Sequence, residues 1–230
     1  MDKIMDKREA RAQKRIHLAL PKYSLAEEIT NAVTHGLGAA LAIAGLVVLL
    51  IYSPKTPLAI ISVCLYGASM FLLYMVSTLY HSLGVNRAKK VFQVLDHCTI
   101  FFLIAGTYTP ISLLCIGGTV GWVLVSIVWG VGVLGTVLTA VDMHRFKVFS
   151  MVCYIALGWC VIIFIKPLID SMDQTSIVLL VVGGVLYTVG AVIYGLGRKV
   201  PYMHSVWHLF CLAGTVFHYF VVLRICMFSA

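Results

Sequence analysis

The sequence predicts an all-α membrane protein, a bundle of seven transmembrane helices with the N-terminus cytoplasmic and the C-terminus outside. Three observations lead there. Of 230 residues, 61% are hydrophobic and 11% charged, whereas a soluble domain carries about 25% charged residues. So little polar surface cannot clothe a water-facing globule. Seven apolar stretches reach or approach the roughly 20 residues that a helix needs to cross the hydrocarbon core. The charges between them alternate, and that alternation assigns a side.

Residues 1–24 form a basic segment carrying Lys3, Lys7, Arg8, Arg11, Lys14, Arg15 and Lys22. Such a segment beside a span stays in the cytoplasm against anionic lipid. No nucleic-acid recognition module accompanies it, so nucleic acid is not an expected partner. Its length, its acids Asp2, Asp6 and Glu9, and the full-length span that follows separate it from a signal peptide.

Residues 25–230 form the membrane domain, with spans expected at 32–52, 58–83, 91–115, 122–140, 149–165, 177–196 and 203–226. Breakers and charges mark the joints: Pro54 and Pro57, Gly84 to Lys90, Gly117-Gly118, Asp142 to Lys147, Lys166 to Ser176, and Gly197 to Pro201. Pro110 predicts a kink near the far end of the third span. The fifth is the shortest. The second, fourth and sixth loops carry Arg87, Lys89 and Lys90, then Arg145 and Lys147, then Arg198 and Lys199. The first and fifth hold Lys55 and Lys166, the latter offset by Asp170 and Asp173. The positive-inside rule places the even loops with the basic N-terminus in the cytoplasm, and an odd number of spans then puts the C-terminus outside. Seven scattered cysteines without a CxxC pair read as apolar packing residues.

Ionisable groups within spans are costly and therefore informative. The second span ends with Ser77-Thr78-Leu79-Tyr80-His81. Asp96-His97 follows Lys90 by six residues, about 9 Å into the third span at the helical rise. The seventh presents His204-Ser205-Val206-Trp207-His208 about 7 to 14 Å in. Three distant segments thus bring His81, Asp96, His204 and His208 to one layer near the cytoplasmic ends. His204 and His208, four apart, share a helix face. With His81 they offer three nitrogens, the catalytic form of zinc coordination with its fourth position open. Asp96 is placed to hold or deprotonate a water or to orient a ligand, and Ser77 to hydrogen-bond substrate or water. Helix–helix hydrogen bonding is the plain alternative for each histidine, and bis-histidine haem ligation the competing cofactor.

In the first span Ser24-x-x-Glu27 fits a capping box. Glu28, Asn31 and His35 share one face, either as an amphipathic entry turn or as a layer supporting the metal. His97 reads as packing or support, His17 and His144 as solvated, and His218 has no assigned role.

At these residues the sequence resembles the progestin and adipoQ receptor family, and more closely its bacterial hemolysin III branch. The matching segments are Glu28-x-x-Asn31-x-x-Thr34-His35, Ser77-x-x-x-His81, Leu95-Asp96-His97 with Ala105-Gly106-Thr107-Tyr108-Thr109-Pro110, and His204-x-x-x-His208 with His218 downstream. The resemblance implies Zn2+ on His81, His204 and His208, with Asp96 near a zinc-bound water and Ser77 close by. It also implies a multi-pass protein of the bacterial cytoplasmic (inner) membrane. Relatives such as the adiponectin receptors are associated with ceramide hydrolysis, which suggests a zinc-dependent hydrolase of a membrane lipid amide. The branch's name and reported links suggest two alternatives: a pore-forming cytolysin, or a regulator of membrane energetics or fluidity with structural zinc. Membrane lipids are the expected partners.

Overall fold

The computed structural model describes residues 2–197 and 200–228. Arg198 and Lys199, counted above for the sixth loop, lie outside the described residues. Helix α1 (Asp2–His17) precedes α2 (Leu25–Tyr52), α3 (Pro57–Ser82) and α4 (Arg87–Pro110). A π-helical turn, Ile111–Ile116, extends α4, and α5 (Gly118–Val141) follows. Helix α6 (Lys147–Trp159) passes through a 3-10 turn (Cys160–Phe164) into α7 (Ile165–Ser171), and α8 (Gln174–Leu196) and α9 (Met203–Phe228) complete the chain. Among the described residues seven helical segments are long and apolar enough to cross a membrane, α4 with its π turn and α6 with α7 each counting once.

Residue chemistry accounts for the element ends. Ser24 caps α2 and Glu27 returns the bond, completing the expected box. Thr56 and Pro57 open α3, Asn86 caps α4, and Asp173 caps α8. Pro110 has no N–H to give the preceding turn. The backbone answers by widening into the π turn, closed by Gly117 N–H donating to the Ser112 carbonyl at 2.9 Å. Gly117 and Gly118 then reverse the chain at φ 64° and 54°, a left-handed geometry that glycine adopts without steric cost.

The polarity of α2 is inverted relative to a soluble helix. Ile29, Val33, Leu37 and Leu41 are exposed while Asn31 and His35 are buried, as a lipid-facing helix requires. Helix α3 lies between α2 and α4, α5 packs on α4, and α9 packs on both α2 and α8. The third span is the most enclosed, 61% of its central window buried against 17% in the fifth. Small residues allow the close approaches. A methyl on Gly38 would stand 2.7 Å from the Tyr74 ring. That ring is pinned because its hydroxyl donates to Thr215 Oγ1 at 2.5 Å, linking α3 to α9. At the opposite end Asp173 and Arg224 pair at 2.9 Å, joining α8 to α9.

Candidate metal centre

The start of α2, the end of α3 and the start of α9 meet at the end of the bundle near α1. His81 comes from the last turn of α3, and His204 and His208 lie one turn apart on α9. His81 and His208 are buried at 2% and 1% exposure. Ligand atoms from the three rings lie within 4.8 Å of one another. His204 Nε2 is 3.2 Å from His81 Nε2 and 3.1 Å from His208 Nε2.

A bound cation would suit that convergence better than hydrogen bonds between the rings. An imidazole nitrogen has one in-plane site, either an N–H or a lone pair. His204 Nε2 therefore cannot pair with both neighbours. A cation accepting three lone pairs satisfies all of them. Tetrahedral zinc at about 2.05 Å from each nitrogen would set them about 3.3 Å apart, close to the separations seen here.

Helix α2 supplies the support. Glu28 Oε2 lies 2.8 Å from His81 Nδ1, which places the ring proton on Nδ1 and leaves the Nε2 lone pair facing the cluster. The Asn31 amide nitrogen is 3.4 Å from the same Nδ1 and is a neighbour there rather than the partner, since both atoms then carry protons. Asn31 instead accepts from Ser205 Oγ at 2.6 Å, tying α2 to α9. His35 stacks on His208, centroids 3.5 Å apart and planes 9° from parallel. Neither of its ring nitrogens has a partner among the described residues, and Ser77 Oγ, buried one turn from His81, has none either.

Lys89 was counted in the sequence as a loop charge, but it is only 1% exposed. Its ammonium meets Glu28 Oε1 at 2.9 Å and donates to the carbonyls of Tyr80 at 2.9 Å and Leu83 at 3.1 Å. It closes the end of α3 and neutralises the carboxylate that holds His81. A lysine in the first turn of a helix opposes the dipole, and that misplaced charge was the signal available in the sequence. Tyr23, also not singled out, stacks over His204 at 5.1 Å and 20°. Burial, then Tyr194 and the negative field of Asp96, hold its phenol well above the usual value. Nothing in the sequence pattern marked it.

Asp96 is half-buried on α4 and its carboxylate does not belong to the converging set. His97 bonds through Nδ1 to the Gln93 carbonyl at 2.9 Å and receives Tyr154 Oη on its own carbonyl at 2.8 Å. It stands with the α4 wall rather than with the three rings. His218 bonds through Nε2 to the Leu180 carbonyl at 3.1 Å. All seven cysteines are free thiols.

One cavity adjoins the cluster at His204, and a second lies farther along the bundle. The first, of about 350 Å³, is lined by His204, Tyr23, Tyr80, Gln93, His97 and Tyr194. The other, about 110 Å³, is an apolar groove reaching Leu73, Ile100, Ile104, Trp207 and Cys211.

Comparison with known proteins adds the following. A family profile described as Haemolysin-III related matches residues 23–219. "Hemolysin-3" of Bacillus cereus is 44% identical over 199 residues, covering 86% of this chain and 90% of its own. "Hemolysin-3 homolog" of Bacillus subtilis (strain 168) is 41% identical over 207 residues, covering 89% and 97%. The human "Monocyte to macrophage differentiation factor" is 25% identical over 168 residues, covering 70% and 69%.

Proposed function

Because this chain belongs to the haemolysin-III related family, we propose that it is a multi-pass membrane zinc protein that hydrolyses an amide-linked membrane lipid, in the manner of a ceramidase. The observation that carries the reading is the meeting of three imidazoles at separations that suit one bound cation. When bound, zinc polarises an amide carbonyl and lowers the pKa of coordinated water toward about 7.

The chain's own groups supply the rest. His81, His204 and His208 hold the ion, and Glu28 fixes the His81 tautomer. Asp96, at matched depth on α4, takes the proton from the attacking water, and Ser77 Oγ is free to bond the substrate carbonyl. Asn31, His35 and His97 hold the surrounding geometry. The apolar groove accommodates an acyl chain within reach of Trp207 and Cys211 on the face of α9. The charged loops support a cytoplasmic N-terminus, and the bacterial relatives support the bacterial cytoplasmic membrane.

One observation favours a second reading. The three rings lie deep, and Tyr23 covers His204, as a closed structural site would have it; the protein is then a regulator with structural zinc. Metal analysis of purified protein by mass spectrometry, with single-turnover amide hydrolysis, separates the two. Wild type should carry about one zinc, His208→Ala should lose it and all activity, and Asp96→Asn should keep zinc while slowing turnover. Full hydrolysis by metal-free protein would overturn the mechanism. Zinc retained without hydrolysis, with unfolding on chelation, would establish the structural reading.

A further inference from the structure

The larger cavity has a chemical bias that the hydrolase reading does not use. Its walls include Lys147, His144, Gln93, Tyr80, Tyr23 and Glu27. Glu27, the one acid among them, has both oxygens committed: Oε2 accepts the Ser24 N–H and Oε1 the Tyr202 N–H, each at 2.8 Å.

Several of the other polar groups, Gln93, His144 and Tyr80 among them, have protons to offer. Lys90, just behind the wall, donates to Gln93 Oε1 at 3.0 Å, which leaves the Gln93 amide with its NH2 to offer. The same ammonium lies 3.2 Å from His144 Nε2, so that nitrogen accepts and the ring proton sits on Nδ1. Lys90 thus turns two wall residues into donors while adding its own charge. Tyr80, 2% exposed, has a buried hydroxyl with no partner among the described residues. Lys147 adds a cation at the start of α6. Lys147, whose ammonium stands 6.0 Å from the centre of the Tyr194 ring, and these donors lie around about 350 Å³ beside His204, against the negative field of Asp96 at Tyr23. Donors with positive charge are the chemistry that holds an anion.

We propose that the ligand of this site is an acyl amide whose polar end carries a carboxylate or phosphate, seated among Lys147, His144, Gln93 and Tyr80. This deepens the hydrolase reading and rests on it. The scissile amide then lies between the anchored headgroup and the chain in the apolar groove.

The test compares N-oleoylglycine with N-oleoylethanolamine, which share chain and amide but end in a carboxylate or a hydroxyl. Binding to zinc-loaded protein in nanodiscs is measured by calorimetry and turnover is measured separately. N-oleoylglycine should bind about ten-fold more tightly, the worth of a charge-assisted contact. Lys147→Gln should shrink that ratio by about the same factor, and Lys147→Arg should restore it. N-acetylglycine, the same headgroup without a chain, should bind far more weakly, which marks the ligand as a lipid rather than a soluble anion. Equal binding of the two lipids, or a ratio unmoved in Lys147→Gln with zinc content intact, overturns the inference and leaves the hydrolase reading standing. Preferential binding of N-oleoylglycine with no hydrolysis of either lipid supports the inference and rejects the hydrolase reading.

Discussion

The most consequential single residue outside the three imidazoles is Glu28, because it meets His81 Nδ1 and Lys89 Nζ at once. Glu28→Gln keeps the size and removes the charge that strengthens His81 as a donor. Zinc affinity, read by competition with a fluorescent chelator, should fall about 10- to 100-fold, the range for such supporting carboxylates. Lys89→Met should act differently. It strands a carboxylate in a buried place and uncaps two carbonyls of α3, a loss of about 3–5 kcal/mol for a broken buried pair. Its Tm in detergent should drop sharply, with partial recovery in Lys89→Arg. The histidines themselves were legible in the sequence because helical spacing and depth are local arithmetic. Tyr23 was not, and Lys89 showed only as a charge set against its helix dipole. Their roles depend on the linker before α2, the start of α2 and the start of α4 meeting residues of α3 and α9, which no periodicity encodes.

At the scale of elements, most of the spans could be read within a few residues because hydropathy and breakers set their limits. Pro110 was expected to kink the third span, and the helix there passes from α to π at Ile111. The expected fifth span, 149–165, proves to be Lys147–Ser171 with a 3-10 interruption. Apolar composition continues through that break, so hydropathy could not place it. Two expected outcomes belong here. Gly38→Ala drives a methyl against a Tyr74 ring held at its far end by Thr215. Overpacking of this kind costs about 1–3 kcal/mol, visible as a lowered Tm. At the other end, the Ser176 hydroxyl bonded to Asp173, then Arg224, hold the Asp173 carboxyl down at about 2. Because the folded value lies below the unfolded one of about 3.9, the stabilisation is fully present above that pH. It fades as pH falls toward 2. The Tm gap between wild type and Asp173→Asn should therefore hold steady from pH 5 to 7, shrink below about pH 4 and close as pH falls to about 2.

For the whole molecule, seven spans place the two ends on opposite faces of the bilayer. The loop charges are the ground for the proposed cytoplasmic N-terminus. A C-terminal alkaline phosphatase fusion should be active and a C-terminal green fluorescent protein dark; the reverse pattern would invert the topology. Bundle architecture was readable from composition because a spanning chain must form helices or a closed barrel, and runs of about 20 apolar residues mark helices. Which helices touch was not, since apolar faces look alike to a hydropathy scale.

The interrupted α6–α7 segment, packed more sparingly on its neighbours than α3 or α4, has a consequence for how the bundle breathes. Its amides should take up deuterium well before those of α2, α3 and α4, whose shared polar junction ties them into one cooperative unit. Loading with zinc should deepen protection in that unit and at the start of α9 while leaving the early-exchanging segment nearly as it was.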